Sequence, residues 1–152
     1  MYKTYQLARP VQKRKLALLA IITLFAVLLM TRCTAEIGRP RPRAKTTADI
    51  LLYLNKHGWE VEATPITVKN LQIPAKFTPA YADYNAMQKR QGFDLSRYRA
   101  DIVESYSFRV LNHPADMDVF ANVLVYRGRI IGGDICSFAI NGFMTGFDGK
   151  TF

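Results

Sequence analysis

Residues 119–135 read VFANVLVYRGRIIGGDI, and this stretch decides the fold. The run Val119–Tyr126 is apolar at every position but Asn122, as a strand covered on both faces must nearly be, so it is expected at the centre of a sheet. Arg127-Gly128 is a two-residue turn signal, and Arg129–Ile135 reads as the antiparallel return. Upstream, Ile102 opens another strand, with Tyr106, Phe108 and Val110 on one face and Ser105, Ser107 and Arg109 on the other. The loop His113-Pro114-Ala115-Asp116 joins it to the central strand, so the last three strands form a meander.

Further upstream the signals alternate. Thr46 and Asp49 stand at capping-box spacing ahead of ILLYLNKHG, which predicts a helix over about 47–57 with Gly58 as its left-handed cap. Trp59–Asn70 carries Val61, Ile66 and Val68 around Pro65 and reads as a bulged strand or two short edge strands. Thr78-Pro79 supplies an N-cap and a first helical residue; Tyr81, Tyr84 and Met87 then keep one face until Gly92. One further turn is expected over 93–98. The fold class is therefore α+β: two helices packed on one face of a small antiparallel sheet that ends in a three-stranded meander, over residues 46–152.

Charge and hydropathy divide the rest of the chain. Of the net +9, all resides in residues 1–45, where ten Lys and Arg face one acid, Glu36; residues 46–152 hold eleven basic and eleven acidic side chains. A neutral domain offers little to a phosphate backbone, so no nucleic-acid role is expected. The segment Leu16–Met30, LALLAIITLFAVLLM, rises ~22 Å as a helix against a hydrocarbon core of ~30 Å. With Lys15 and Arg32 snorkelling, residues 16–32 are read as a single transmembrane or signal-anchor helix. A cleaved signal peptide is the rival reading, given Lys13-Arg14-Lys15 ahead of the segment and Cys33-Thr34-Ala35 after it. Residues 1–15 form a basic tail on the cytoplasmic side, because three cations abut the upstream end. Residues 33–45, with EIGRPRPRAK, read as an extended Arg/Pro linker whose basic side chains lie near lipid headgroups.

A resemblance rests on GWEV (58–61), IPAKF (73–77), YNAMQKRQGFDLSRY (84–98), LVYRGRIIGGDICS (124–137) and NGFM (141–144). Together these resemble an uncharacterised family of membrane-anchored domains of unknown function from Gram-positive bacteria. Arg99-Ala100-Asp101 departs from the Gly-Lys type of sequence that family has there. The resemblance implies no activity. The order of elements is also loosely similar to cystatin-like and PepSY-like modules, which bind or inhibit partners.

Few residues offer chemistry. Cys136 is the one thiol after Cys33, and a nucleophilic role requires His113 as its base with Asp134 or Asn112 as orienter; the plainer reading is a small buried apolar group. His113, Asp116 and Asp118 are metal-ligand types without a spacing signature, so no metal and no cofactor is expected. An acidic pair drawn from Asp94, Asp101, Glu104 and Asp134 is the other enzyme reading. Gly132-Gly133-Asp134 is either a bulge or a nest for an anionic or peptide group. Tyr81 and Tyr84, or Phe143 and Phe147, are candidates to line a partner groove. The sequence thus points to a membrane-held extracytoplasmic binding or interaction module of a bacterial cell envelope. It would meet the lipid bilayer through its N-terminal helix and an envelope protein or peptide through its domain. The alternative is a small envelope enzyme centred on Cys136 and His113 or an acidic pair.

Overall fold

The computed structural model describes residues 21–24, 41–114 and 117–150. The chain divides into two compact units, Met1–Arg39 and Pro40–Phe152. In the first, residues 21–24 are helical, with Ile21, Ile22 and Leu24 exposed; the rest of the segment 16–32, the basic tail and Cys33 lie outside the described residues. Among the described residues no helix is long and apolar enough to cross a membrane.

The second unit is α+β. Helix α1 (Thr47–Lys56) begins at the expected capping box: the Thr46 hydroxyl accepts from the Asp49 N–H, and the Asp49 carboxylate accepts from the Thr46 N–H. Strand β1 (Thr67–Gln72) follows, then α2 (Pro79–Arg90), capped by Thr78. A 3₁₀ turn (Leu95–Tyr98) capped by Asp94 leads into β2 (Ile102–Arg109), β3 (Phe120–Tyr126), β4 (Arg129–Cys136) and β5 (Met144–Thr145). The sheet order is β1-β2-β3-β4-β5 with every pair antiparallel, and β3 is central as expected. Arg127 and Gly128 both take positive φ, which makes the β3–β4 connection a primed hairpin turn. The predicted edge strand is split: Val61 makes one bridge to Val110, and β1 starts beyond Pro65.

Three features differ from the sequence reading. First, the helices cover opposite faces. Ile50 and Leu54 of α1 pack on Phe108, Ala121, Val123, Val125, Ile130 and Ile135. Leu95 and Tyr98, with Tyr81 and Tyr84 of α2, pack on Val103, Leu124 and Ile131. Alternation places these sets on the two sides of the same strands, which is why β3 and β4 are apolar on consecutive positions. Ile130 and Ile131 enter different cores by this alternation, and a bulge in β4 opposite Leu124/Val125 then turns Ile131 and Gly132 toward the same α2 side. Second, β5 adds a fifth strand that its two-residue length hid. Third, residues 41–45, assigned above to the linker, belong to the domain. Arg43 bridges Arg129, the Ala44 N–H donates to Gly128 O, and Ala44 is buried in the α1 core.

Candidate functional site

The face of the sheet under α2 is only partly filled. Near the 3₁₀ turn, Leu95, Tyr98 and Ile73 close over Leu124 and Ile131. Toward the Phe120 and Cys136 ends of β3 and β4 the cover stops, leaving a cavity of about 420 Å³. Its walls are Ile66 and Leu71 from the β1 edge, Tyr81 and Tyr84 from α2, Leu124 and Phe120 from β3, and Phe138 beyond β4. Its floor is polar, because in register across β2, β3 and β4 stand Ser105, Ser107, Asn122 and Asp134. Lys69 stands at the rim.

The floor is a connected network. Ser107 Oγ donates to Asn122 Oδ1, and Asn122 Nδ2 donates to Asp134 Oδ2 at 2.9 Å and to Cys136 Sγ at 3.2 Å. Tyr84 Oη donates to Asp134 Oδ1 at 2.8 Å. Asp134 is 3 % exposed, and burial pushes its carboxyl above the usual range against the opposing bonds from Asn122, Tyr84 and Cys136. Burial, then the neighbouring Asp134 carboxylate, hold Tyr84 well above its ordinary value. The same two causes push the Cys136 thiol up to about 12. A thiol so held is a poor nucleophile.

Ser105 differs from the rest of the floor. It is 6 % exposed and lines the cavity, and among the described residues its hydroxyl has no hydrogen-bond partner. Among the described residues no buried side-chain polar atom lacks a partner, so the Ser105 hydroxyl keeps access to the cavity, where it can donate to or accept from a bound group.

The residues singled out from the sequence separate accordingly. Tyr81, Tyr84 and Asp134 come together in the cavity. Gly132 and Gly133 do not form a nest, because they lie within β4 and the backbone of Gly133 is already engaged. Gln88 Oε1 accepts from its N–H and Gln88 Nε2 donates to its carbonyl, each at 2.9 Å, and Gln91 Nε2 adds a bond to the same carbonyl. Cys136 faces Asn122 and Asp134, whereas the His113 ring stacks on Trp59 and Phe143, which pack on the α1 core across the sheet. Phe147 is buried in that core and is no groove residue. The acids are dispersed: Asp94 is bonded to Asn85 and Ser96, and Glu104 alternates to the face opposite Asp134. Asp118 pairs with Arg109 at 2.8 Å, and Asp116 lies outside the described residues. Among the described residues no cluster of three metal-ligand types occurs. The sequence reading missed Ser105, Ser107 and Asn122 as site residues. The polar face of β2 was the available signal, and it reads equally as a solvated face.

The family model described as "Domain of unknown function (DUF4830)" matches residues 53–135, and the chain belongs to that family. The match runs from α1 to β4 and takes in the cavity floor. No curated protein and no solved structure matches the chain.

Proposed function

We propose that this chain is a membrane-anchored extracytoplasmic binding module of a bacterial cell envelope, and that the cavity beneath α2 is where it holds its ligand. The observation that carries the reading is a cavity of about 420 Å³ whose floor sets Ser105, Ser107, Asn122 and Asp134 beneath walls from α2, β1, β3 and Phe138. That volume falls within the range of small-molecule and side-chain pockets. Aromatic and aliphatic walls above a polar floor suit a small amphipathic molecule or the side chains of an envelope peptide, its polar end on Ser105 and the Asp134 network. The anchor reading rests on Leu16–Met30 and its flanking cations. The enzyme reading on Cys136 has less support, because the thiol is buried, protonated and separated from His113 by the sheet.

Two measurements test the proposal. The full chain, extracted gently from its native membrane, is expected to carry a small adduct in native mass spectrometry that a Ser105→Leu variant lacks; equal masses in both would count against the cavity. Protease added to intact cells or spheroplasts is expected to digest the domain and spare a fragment containing Leu16–Met30. Protection of the domain until the membrane is opened would reverse the orientation.

A further inference from the structure

The domain as a whole is near neutral, but the fold sorts its charges along the strands. Arg41, Arg43, Lys45, Arg97, Arg127 and Arg129 gather around the β3–β4 turn. Arg129 Nη1 donates to Arg41 O at 2.9 Å, Arg43 bridges Arg129, and the Lys45 side chain lies against Gly128. The Arg41 guanidinium stands 5.1 Å over the Tyr98 ring, which contacts Tyr126, and Arg127 stands over Tyr126 in turn. Arg97 neighbours Tyr98 in the 3₁₀ turn. All but Arg41 are exposed. Four carboxylates lie among them, and two are committed locally: Asp49 to its capping box and Asp94 to the 3₁₀ cap and Arg97. Asp101 and the exposed Glu104, in register with Val125, are the others, leaving six cations against four acids. At the other end of the strands the charges are matched within the domain, Arg109 with Glu62 and Asp118, and Lys150 with Asp148.

From this polarity we infer that the β3–β4 turn end is a docking surface for an anionic phospholipid bilayer. Two independent features select that partner. The excess of exposed cations without a groove complements a charged plane of lipid headgroups. The chain also enters the domain here, at Arg41, eleven residues after the last apolar residue of Leu16–Met30, a separation of at most ~40 Å. Docked this way, the domain presents the Phe120 and Phe138 mouth of its cavity away from the bilayer, about 20 Å up the strands from Arg127. The surface is separate from the cavity, so either reading can fail alone.

The test uses the full chain with nanodiscs of phosphatidylcholine alone or mixed with phosphatidylglycerol, and follows lysine acylation by mass spectrometry. Lys45 is expected to label several-fold more slowly with the anionic discs. Lys150, at the far end, should label equally in both. The protection should fade as salt is raised, and the paired substitutions Arg127→Asn and Arg129→Gln should remove it while the domain keeps its native circular-dichroism spectrum. Asn tolerates the left-handed φ at position 127. Equal labelling of Lys45 with both discs would overturn the inference. So would protection by duplex DNA in the absence of protection by anionic discs. Failure of the chain to co-migrate with neutral discs would instead count against the anchor, leaving Lys45 protection to decide the surface.

Discussion

The amide of Gln88 engages both backbone groups of Gly133, accepting from its N–H and donating to its carbonyl at 2.9 Å each. Strand β5 pairs only with Ile135 and Cys136, so the edge of β4 would be left open and buried at Gly133. The Gln88 side chain, fully buried on α2, takes the place of the missing strand. It thereby fixes α2 over the sheet and sets the height of the cavity roof. Gln88→Ala should destabilise the domain by about 2–4 kcal/mol, since two buried backbone groups lose partners and a void opens. Urea unfolding followed by circular dichroism would measure it. A loss under about 0.5 kcal/mol would show that the edge is satisfied otherwise.

Glycine positions separate space from backbone conformation. Gly133 has φ +154°, and a Cβ there would collide with the Asn122 carbonyl and the Phe147 ring. Gly58 has φ +86° with nothing within 4 Å. Gly133→Ala should therefore abolish stable folding, whereas Gly58→Ala should cost only about 1 kcal/mol. Soluble yield and melting temperature of the two variants would check the contrast.

Ala100 takes φ +65°, the left-handed region, at the turn into β2. An L-residue in the left-handed region costs roughly 1–2 kcal/mol, part of which glycine returns as chain entropy. Ala100→Gly should raise stability by about 0.5–1 kcal/mol. An unchanged or lower melting temperature would show that the turn into β2 is relaxed as it stands.

Asp134 makes stability depend on pH in a definite direction. Burial raises its folded value above the ordinary 3.8, so the folded state holds the proton more tightly. Its favourable contribution is present in full below 3.8 and is lost as pH rises through the raised folded value. At neutral pH, above the unfolded value, the group is therefore a net cost to folding. Asp134→Asn should therefore melt higher than wild type at pH 7, with the gap closing below about pH 3.8. A gap independent of pH would show that the substitution acts through packing alone.

Cys136 should be slow to alkylate. With its thiol pushed up to about 12 from 9.0, the thiolate fraction at neutral pH falls about a thousandfold. In a Cys33→Ser chain, where Cys136 is the sole cysteine, native labelling should be slow and should accelerate sharply in denaturant. Rapid native labelling would return Cys136 to the candidates for catalysis.

Local signals were legible wherever a residue acts on its own neighbours. Thr46 and Asp49, Thr78-Pro79, Gly58, Gly92 and Arg127-Gly128 each do in the structure what their sequence context requires. Alternation in β2 and density in β3 gave the meander. Long-range relations were not legible. The two helices take opposite faces of one sheet, with Ile130 in one core and Ile131 in the other, and consecutive apolar positions do not say which helix covers which side. Gln88 and Asn85 interrupt the apolar face of α2, yet both are buried with partners far along or beyond the helix. Tyr81, Tyr84 and Asp134, singled out from the sequence, line the cavity. Ser105, Ser107 and Asn122 were not singled out, because only the β2–β3–β4 register sets them beside Asp134.

The most direct test of the central claim places a photo-crosslinking amino acid at Phe138, 78 % exposed at the cavity mouth, and separately at Leu52, exposed on α1 on the other face. Each full chain is irradiated in its native membrane and digested for mass spectrometry. An adduct of defined mass is predicted at position 138, absent at position 52 and lost when Ser105→Leu fills the floor. The same adduct at both positions, or its persistence in the Ser105→Leu chain, would contradict the cavity as the binding site.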